Sequence, residues 1–274
     1  MRATCDICFH HCSLAEGQTG FCGARKNVGG KVICDNYGKI TAAALDPIEK
    51  KPLKHFFPGS RIFSIGSYGC NLHCPFCQNS DISMQYSRIP TRTISPEDLV
   101  REAVTLKKDG NIGIAYTYNE PFISYEYVLD SAKLAHENGL KNVMVTNGTV
   151  EEEPLRAILP LIDAFNIDLK AFNQEYYDMI SGNFEVVKRT IAIAASQSHV
   201  EVTTLIVTGE NDSDAEMESL SAWLASVNPD IPYHVSRFFP NYQMQDRAAT
   251  PVKTIYHLAD IARKHLKFVY TGNC

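Results

Sequence analysis

Three cysteines dominate the chemistry this chain could perform: Cys70, Cys74 and Cys77, set within Gly69-Cys70-Asn71-Leu72-His73-Cys74-Pro75-Phe76-Cys77-Gln78-Asn79. Three thiolates from one short loop can ligate three irons of a 4Fe-4S cubane and leave the fourth iron without a protein ligand. An iron left open in this way is a chemical site. A structural zinc knot is the alternative, but it takes four ligands where the loop offers three, and His73 stands too close to its neighbours to be a comfortable fourth. A second group, Cys5-x2-Cys8-x3-Cys12-x9-Cys22 with His10 and His11 alongside, supplies four soft ligands within 18 residues. It suits a tetrahedral zinc site that rigidifies a head poor in apolar residues, or an auxiliary iron-sulfur cluster, and spacing does not separate the two. Cys34 and Cys274 complete the nine cysteines and are assigned no role.

The elements that must position these groups can be read from hydrophobic periodicity. Short apolar runs at 62–65, 112–116, 142–146, 164–169, 200–207, 233–236 and 267–270 alternate with amphipathic helical stretches such as 96–108, 123–138, 215–227 and 252–264. Alternation of this kind implies parallel strands with helical crossovers, in an open doubly wound sheet or a full or partial barrel, and six or seven units suit an incomplete barrel. Both architectures place chemistry at the C-terminal ends of the strands. Tyr118-Asn119-Glu120, Asn147-Gly148, Asp168 with Lys170, Gly209 with Asn211 and Asp212, and His234 with Ser236 and Arg237 all fall at such ends. The aromatics Tyr116, Tyr118, Phe122, Tyr125 and Tyr127 suggest a lined cavity, although helical spacing makes core packing the default for several of them. Residues 1–60 read as a Cys-rich head and connector, with a small hairpin expected between 31–34 and 39–43, and residues 61–274 as the barrel. The basic segment Lys50-Lys51-Pro52-Leu53-Lys54-His55 reads as a solvated connector face, with docking of an acidic partner as the alternative.

Composition narrows the function classes. The 274 residues carry 26 Lys and Arg against 31 Asp and Glu, a formal charge of −5, which argues against a general nucleic-acid-binding surface. Hydrophobic residues at 45% and charged residues at 21% describe a globule rather than a disordered chain. No apolar run is long enough to span a membrane, and Met1-Arg2-Ala3-Thr4-Cys5-Asp6 lacks the apolar core of a secretory signal. A cytoplasmic, reducing location is therefore expected, where grouped cysteines read as metal ligands rather than disulfides.

C-x3-C-x2-C with an aromatic, Phe76, before the last cysteine resembles the signature of the radical S-adenosylmethionine superfamily. Residues 46–53 (DPIEKKPL), 115–121 (AYTYNEP), 145–148 (VTNG), 166–170 (NIDLK) and 270–273 (YTGN) look like the AmmeMemoRadiSam radical enzymes, a branch similar to the pyruvate formate-lyase activating enzymes. The resemblance implies a partial (β/α)6 barrel holding a 4Fe-4S cluster at Cys70, Cys74 and Cys77. Its open iron is chelated by S-adenosylmethionine, which is cleaved reductively to a 5'-deoxyadenosyl radical. A flavodoxin or ferredoxin reductant is implied too, as is a partner protein bearing a glycyl radical site or, alternatively, a small molecule or maturing cofactor in a pocket lined by Tyr118, His234 and Arg237. A non-catalytic iron-sulfur or zinc scaffold ranks well below both. By position, Asn119 and Glu120 stand where relatives carry Gly-Gly-Glu, so Glu120 is assigned to the methionine ammonium. Thr146 and Asn147 resemble the turn near the methionine carboxylate and ribose. Asp168 and Lys170 resemble the Asp-Leu-Lys strand end, His234 a histidine near the ribose, and Phe76 and Tyr118 are placed beside the cofactor. Two departures are visible: Val145 stands where activating enzymes carry an Asp for a monovalent cation, and Cys274 is the last residue where relatives continue into a cysteine-bearing tail.

Overall fold

The computed structural model describes residues 1–84 and 89–274. Eight strands form one sheet: β1 (Ala42–Pro47), β2 (Arg61–Gly66), β3 (Asn111–Tyr116), β4 (Lys141–Thr146), β5 (Ala164–Asp168), β6 (His199–Ile206), β7 (Tyr233–Arg237) and β8 (Val269–Gly272). From β2 to β8 the neighbours are parallel and follow chain order, and β1 adds antiparallel beside β2. Helices fill the crossovers: α1 (Pro96–Thr105), α2 (Tyr125–Glu137), α3 (Glu152–Ile158), α4 (Gln174–Met179), α5 (Phe184–Ala195), α6 (Asp214–Val227) and α7 (Val252–Ala262). Every strand expected from the apolar runs forms, with bounds moved by one or two residues. No helix among the described residues is long and apolar enough to cross a membrane.

Local chemistry sets the helix starts. The Ser95 hydroxyl accepts from the Asp98 N–H at 3.1 Å, Pro96 opens α1, and Glu97 and Asp98 lie at its positive end. Asn183 and Ser213 cap α5 and α6 in the same way, through the N–H groups of Val186 and Glu216. The strands bury both faces, as parallel strands between layers must. Phe63, Ile114, Met144 and Phe165 pack towards the helices, while Ile62, Ala115, Val143 and Ala164 form a row on the inner face.

That inner row packs on Ile48, Leu53 and Phe56, so the segment following β1 plugs the N-terminal end of the barrel. The plug touches strands at both ends of the sheet: Lys51 Nζ donates to Asp46 of β1 at 2.9 Å, and the His55 ring bonds the Tyr270 hydroxyl of β8 at 2.6 Å. Only a curled sheet allows this. The basic segment expected to be solvated divides: Lys50, Lys54 and His55 are exposed as expected, whereas Lys51 and Leu53 turn inward, 3% and 0% exposed. Two forces explain the difference. Leu53 and Phe56 supply apolar area to bury, and Asp46 neutralises the charge carried in with them. Asp46 accepts from Lys51 Nζ at 2.9 Å and Lys50 Nζ at 3.0 Å.

The expected hairpin between 31–34 and 39–43 does not form. Lys31–Cys34 pairs with Arg25–Val28 across Gly29 and Gly30, at φ of 63° and 79°. Two successive left-handed glycines give the turn whose twist matches paired strands. Beyond Asn36 the chain leaves the head: Lys39–Ile40 pairs with Arg92–Thr93, and the next residues become β1.

Replacing Lys51 by Met removes one member of a buried ion pair and leaves Asp46 with the exposed Lys50 and Tyr118 as its remaining partners. We expect a loss of about 3 kcal/mol in urea unfolding, with most of it recovered in Asp46→Asn/Lys51→Met; no recovery in the double variant would show that the ion pair is not the cause.

Candidate cluster and cofactor site

The cysteine loop leaves the C-terminal end of β2 and is held by backbone and amide hydrogen bonds from neighbouring elements. Asn119, after β3, accepts from the Ser67 N–H at 2.9 Å and donates through Nδ2 to the carbonyls of Tyr68 at 3.3 Å and Gly69 at 3.1 Å. Gly69 sits at φ 91°, and a Cβ there would lie 2.4 Å from the Cys22 carbonyl oxygen, so the position excludes any side chain. The Cys70 N–H donates to that same carbonyl at 3.1 Å. Further along, the His73 N–H donates to the Ile180 carbonyl at 2.9 Å and Pro75 accepts from the Gln243 N–H at 2.9 Å. Asn71 donates to the Thr149 carbonyl at 2.9 Å and accepts from Asn147 Nδ2 at 2.9 Å.

The thiols lie close enough to influence one another's protonation. Cys74 is buried and Cys70 and Cys77 are partly buried. Cys70 Sγ accepts from the Leu72 N–H at 3.4 Å and from Asn147 Nδ2 at 3.7 Å, and Cys77 Sγ meets Ser83 Oγ at 3.3 Å. Burial pushes the Cys70 thiol well up, with the Glu120 charge adding to it, and pushes Cys74 up to about 12 despite the pull of Lys170. A bound metal centre would supply the positive charge that draws off these protons. Among the described residues no three Cys, His, Asp or Glu side chains converge on a single point. A cubane takes one thiolate per iron and does not ask for that convergence, so a loop of soft donors with N–H groups aimed at sulfur fits it.

Charged groups surround the loop. Glu120 is buried, and its carboxylate accepts from the Phe122 N–H at 3.0 Å, the Thr146 hydroxyl at 2.7 Å and the Asn147 N–H at 2.8 Å. It therefore caps the turn at Pro121 and also ties the end of β3 to the end of β4. Burial pushes its pKa up to about 7 against those three hydrogen bonds, and the Asp168 charge adds to the rise. Lys170 Nζ donates to Asp168 Oδ2 at 2.7 Å, and both act electrostatically on Cys74. Burial lowers the Lys170 pKa, but Asp168 more than offsets this and keeps the ammonium charged.

Cys70, Cys74, Cys77, Glu120, Thr146, Asn147, Asp168 and Lys170 are thus gathered at one mouth of the barrel. Phe76 is buried, 6.1 Å from Tyr176 between ring centroids. Tyr118 points away, into the barrel: its hydroxyl donates to Asp46 at 2.7 Å, and Lys51 Nζ lies 4.7 Å from its ring centroid. His234 Nε2 lies 2.6 Å from Glu201, its ring stacks on Tyr270, and Arg237 Nε donates to the Thr250 carbonyl at 2.6 Å. Tyr116, Phe122 and Tyr127 are core residues. In the head, Cys5, Cys8, Cys12 and Cys22 line one pocket. Sequence reasoning missed Glu201, a buried carboxylate on β6 that accepts from His199, His234 and the N–H groups of Lys54 and His55. A lone Glu inside an apolar run was the available signal.

An open parallel barrel with a three-thiol loop at its C-terminal mouth defines an iron-sulfur barrel protein. The Radical SAM superfamily model matches residues 64–224. The protein MJ0808 of Methanocaldococcus jannaschii, itself uncharacterized, is 40% identical over 99% of this chain and 81% of its own length. The pyruvate formate-lyase-activating enzyme of Clostridium pasteurianum is 25% identical over 52% of this chain and 63% of its own. Streptococcus suis SuiB bound to S-adenosylmethionine shares the fold, with a TM-score of 0.57 at 11% identity over 78% of this chain and 52% of that one. The chain belongs to the radical SAM superfamily, whose cofactors are a 4Fe-4S cluster and S-adenosylmethionine.

Burial would raise the pKa of Glu201, but hydrogen bonds from His199, His234 and the Lys54 and His55 N–H groups hold it at about 2. A depressed carboxylate contributes stability that is present above its unfolded pKa and is lost as pH falls towards its folded one. From the ordinary 4.5 down to about 2, the wild type should lose on the order of 3 kcal/mol more than Glu201→Gln. Urea midpoints across that window check this, and parallel curves for the two proteins would refute it.

Proposed function

We propose that this protein is a radical S-adenosylmethionine enzyme of the activating type, which generates a radical on a partner protein, with residues 1–60 as head and 61–274 as catalytic barrel, the head lending β1 to the sheet. The observation that carries the reading is the gathering of the three cysteines with Glu120 and the Asp168–Lys170 pair. Cys70, Cys74 and Cys77 hold three irons of the cluster. Bound there, the cluster supplies the electron that splits S-adenosylmethionine into methionine and a hydrogen-abstracting 5'-deoxyadenosyl radical. Glu120 binds the methionine ammonium: Oε1 accepts from Phe122 and Thr146 and Oε2 from Asn147 alone, which leaves Oε2 with acceptor capacity. Lys170 balances negative charge near Cys74. Asn119 and Asn147 fix the loop through their amides, and Phe76 excludes water behind it. A flavodoxin or ferredoxin supplies the electron.

Two observations favour a protein substrate over a small molecule. The edges β1 and β8 stand at opposite ends of the sheet order, so the barrel is open at its side, where a peptide segment can enter. Tyr118, His234 and Arg237, the lining expected of a closed pocket, are engaged by three different partners, Asp46, Glu201 and Thr250. The likeness to an enzyme named as activating pyruvate formate-lyase points the same way.

Reconstituted without oxygen and reduced, the wild type should form 5'-deoxyadenosine from S-adenosylmethionine and Cys74→Ala should form none; equal yields would end the cluster assignment. With a peptide carrying α-deuterated glycine, deuterium should appear in the nucleoside. Transfer only from a small molecule would overturn the activating role and keep the radical step.

Glu120→Gln should weaken S-adenosylmethionine binding roughly tenfold to a hundredfold with iron content unchanged, because a charged hydrogen-bond partner is lost. Since the ammonium needs the ionised carboxylate, wild-type affinity should fall as pH drops through about 7, and the variant should be flat across that range. Titration calorimetry at several pH values measures both, and a pH-independent wild type would remove Glu120 from the ammonium.

A further inference from the structure

The four cysteines of the head take no part in the chemistry above, yet they line one pocket together with the apolar Ile7, Phe21 and Ile123. Cys5, Cys8 and Cys22 are buried, Cys12 is partly buried, and all four are free thiols. The Cys5 N–H donates to the Cys12 carbonyl at 3.1 Å, which folds the segment so that Cys8 lies between them, and the His11 N–H donates to the Cys8 carbonyl at 3.1 Å. Arg25 lies close enough to act on Cys5 and Cys22, held by two hydrogen bonds of 2.8 and 2.7 Å to Glu126. Four thiols, an apolar wall and a buried guanidinium make a site for a soft metal centre that carries net negative charge.

The position of this pocket says more than its ligands. The Cys22 carbonyl accepts the N–H of Cys70, so a ligand of one set is hydrogen-bonded directly to a ligand of the other. His10 Nε2 bonds the Asn71 carbonyl at 3.0 Å, and the Phe21 ring stacks on His73 at 4.1 Å between centroids. The head therefore covers the face of the cysteine loop turned away from the barrel. The bond between Cys22 and Cys70 gives a short path from one thiol set to the other, which a centre passing electrons to the loop can use.

We propose that Cys5, Cys8, Cys12 and Cys22 hold a second iron-sulfur cluster that relays single electrons from an external low-potential donor to the cluster at Cys70, Cys74 and Cys77. The donor is oxidised by one electron, the head cluster is reduced and then reoxidised, and the loop cluster gains that electron; no bond to the protein is made or broken. The proposal rests on the cluster reading of the loop.

The full chain is reconstituted without oxygen with ferrous iron and sulfide in the presence of equimolar zinc. Alongside it are prepared Cys8→Ala/Cys22→Ala and Cys70→Ala/Cys74→Ala/Cys77→Ala. Iron, sulfide and zinc are measured per chain, and the reduced proteins are examined by electron paramagnetic resonance. Each variant is expected to carry about half the wild-type iron with no zinc and to give its own cluster signal, with only the head variant's signal changing on addition of S-adenosylmethionine. Reduced flavodoxin should reduce the loop cluster several-fold more slowly in the head variant. If that variant does not fold, the loop variant decides: its head cluster should be reduced by flavodoxin as fast as the first phase of the wild type. Stoichiometric zinc without iron in the loop variant overturns the proposal, as does a head cluster whose removal leaves the reduction rate unchanged or which flavodoxin does not reduce. A wild-type signal indifferent to S-adenosylmethionine would instead sink the reading of the loop, and iron retained by the loop variant would still speak for the head.

Discussion

A loop that carries three cysteines cannot hold its own shape, because it lacks the repeating backbone ladder of a helix or strand. Here the shape comes from side-chain amides and one carboxylate at the ends of neighbouring strands. Asn119 grips the loop at its start and Asn147 grips Asn71 and Cys70, while Glu120 fixes the backbone of Asn147 and the hydroxyl of Thr146. The same carboxylate that can receive a cofactor ammonium thus sets the position of the amide that reaches the Cys70 sulfur. Geometry at the cysteines and geometry at Glu120 are one problem.

Electrostatics at this mouth follow from burial. Cys74, Glu120 and Lys170 are all withdrawn from water, where any single charge would be costly. Their signs offset one another in part: Lys170 is paired with Asp168 and acts on Cys74, and Glu120 is stabilised by three donors. A negative thiolate cluster near Lys170 and a cationic substrate near Glu120 would complete the balance. This explains why groups that seem unfavourable in isolation are retained together.

Much of this arrangement was legible in the sequence because it follows strict periodicities. Parallel strands buried on both faces read as apolar runs, and the polar residues that follow them mark the C-terminal mouth. Spacing alone gave the three-thiol loop. What the sequence hid are contacts between residues far apart along the chain that break no local rule. Lys51 looks like any surface lysine until Asp46 and Tyr118 are found around it, and Glu201, a lone carboxylate in an apolar run, gives no sign that the N–H groups of Lys54 and His55 meet it. The hairpin was misplaced for a related reason: the turn at residues 36–38 is a genuine turn, but it redirects the chain into the barrel sheet, and Gly29-Gly30 was the stronger hairpin signal.

The hidden contacts share a location, which gives them a common purpose. Leu53, Phe56, Glu201, Asn166 and Asp46 join the plug to strands from β1 to β6 at or below the middle of the barrel, and His55 reaches Tyr270 on β8. A sheet whose edges do not pair has no ladder to close it, so it needs something else to fix its curvature, and a crossing segment tied to both edges does so from within. Tyr118 connects that device to the mouth, since it follows β3 at the C-terminal end and sends its hydroxyl down to Asp46, opposite Ile62 at the other end of β2. The plug is placed at one end of the barrel and the three-cysteine loop at the other, and this leaves the side between β1 and β8 open above the plug without loosening the strands that lead to Glu120 and Lys170.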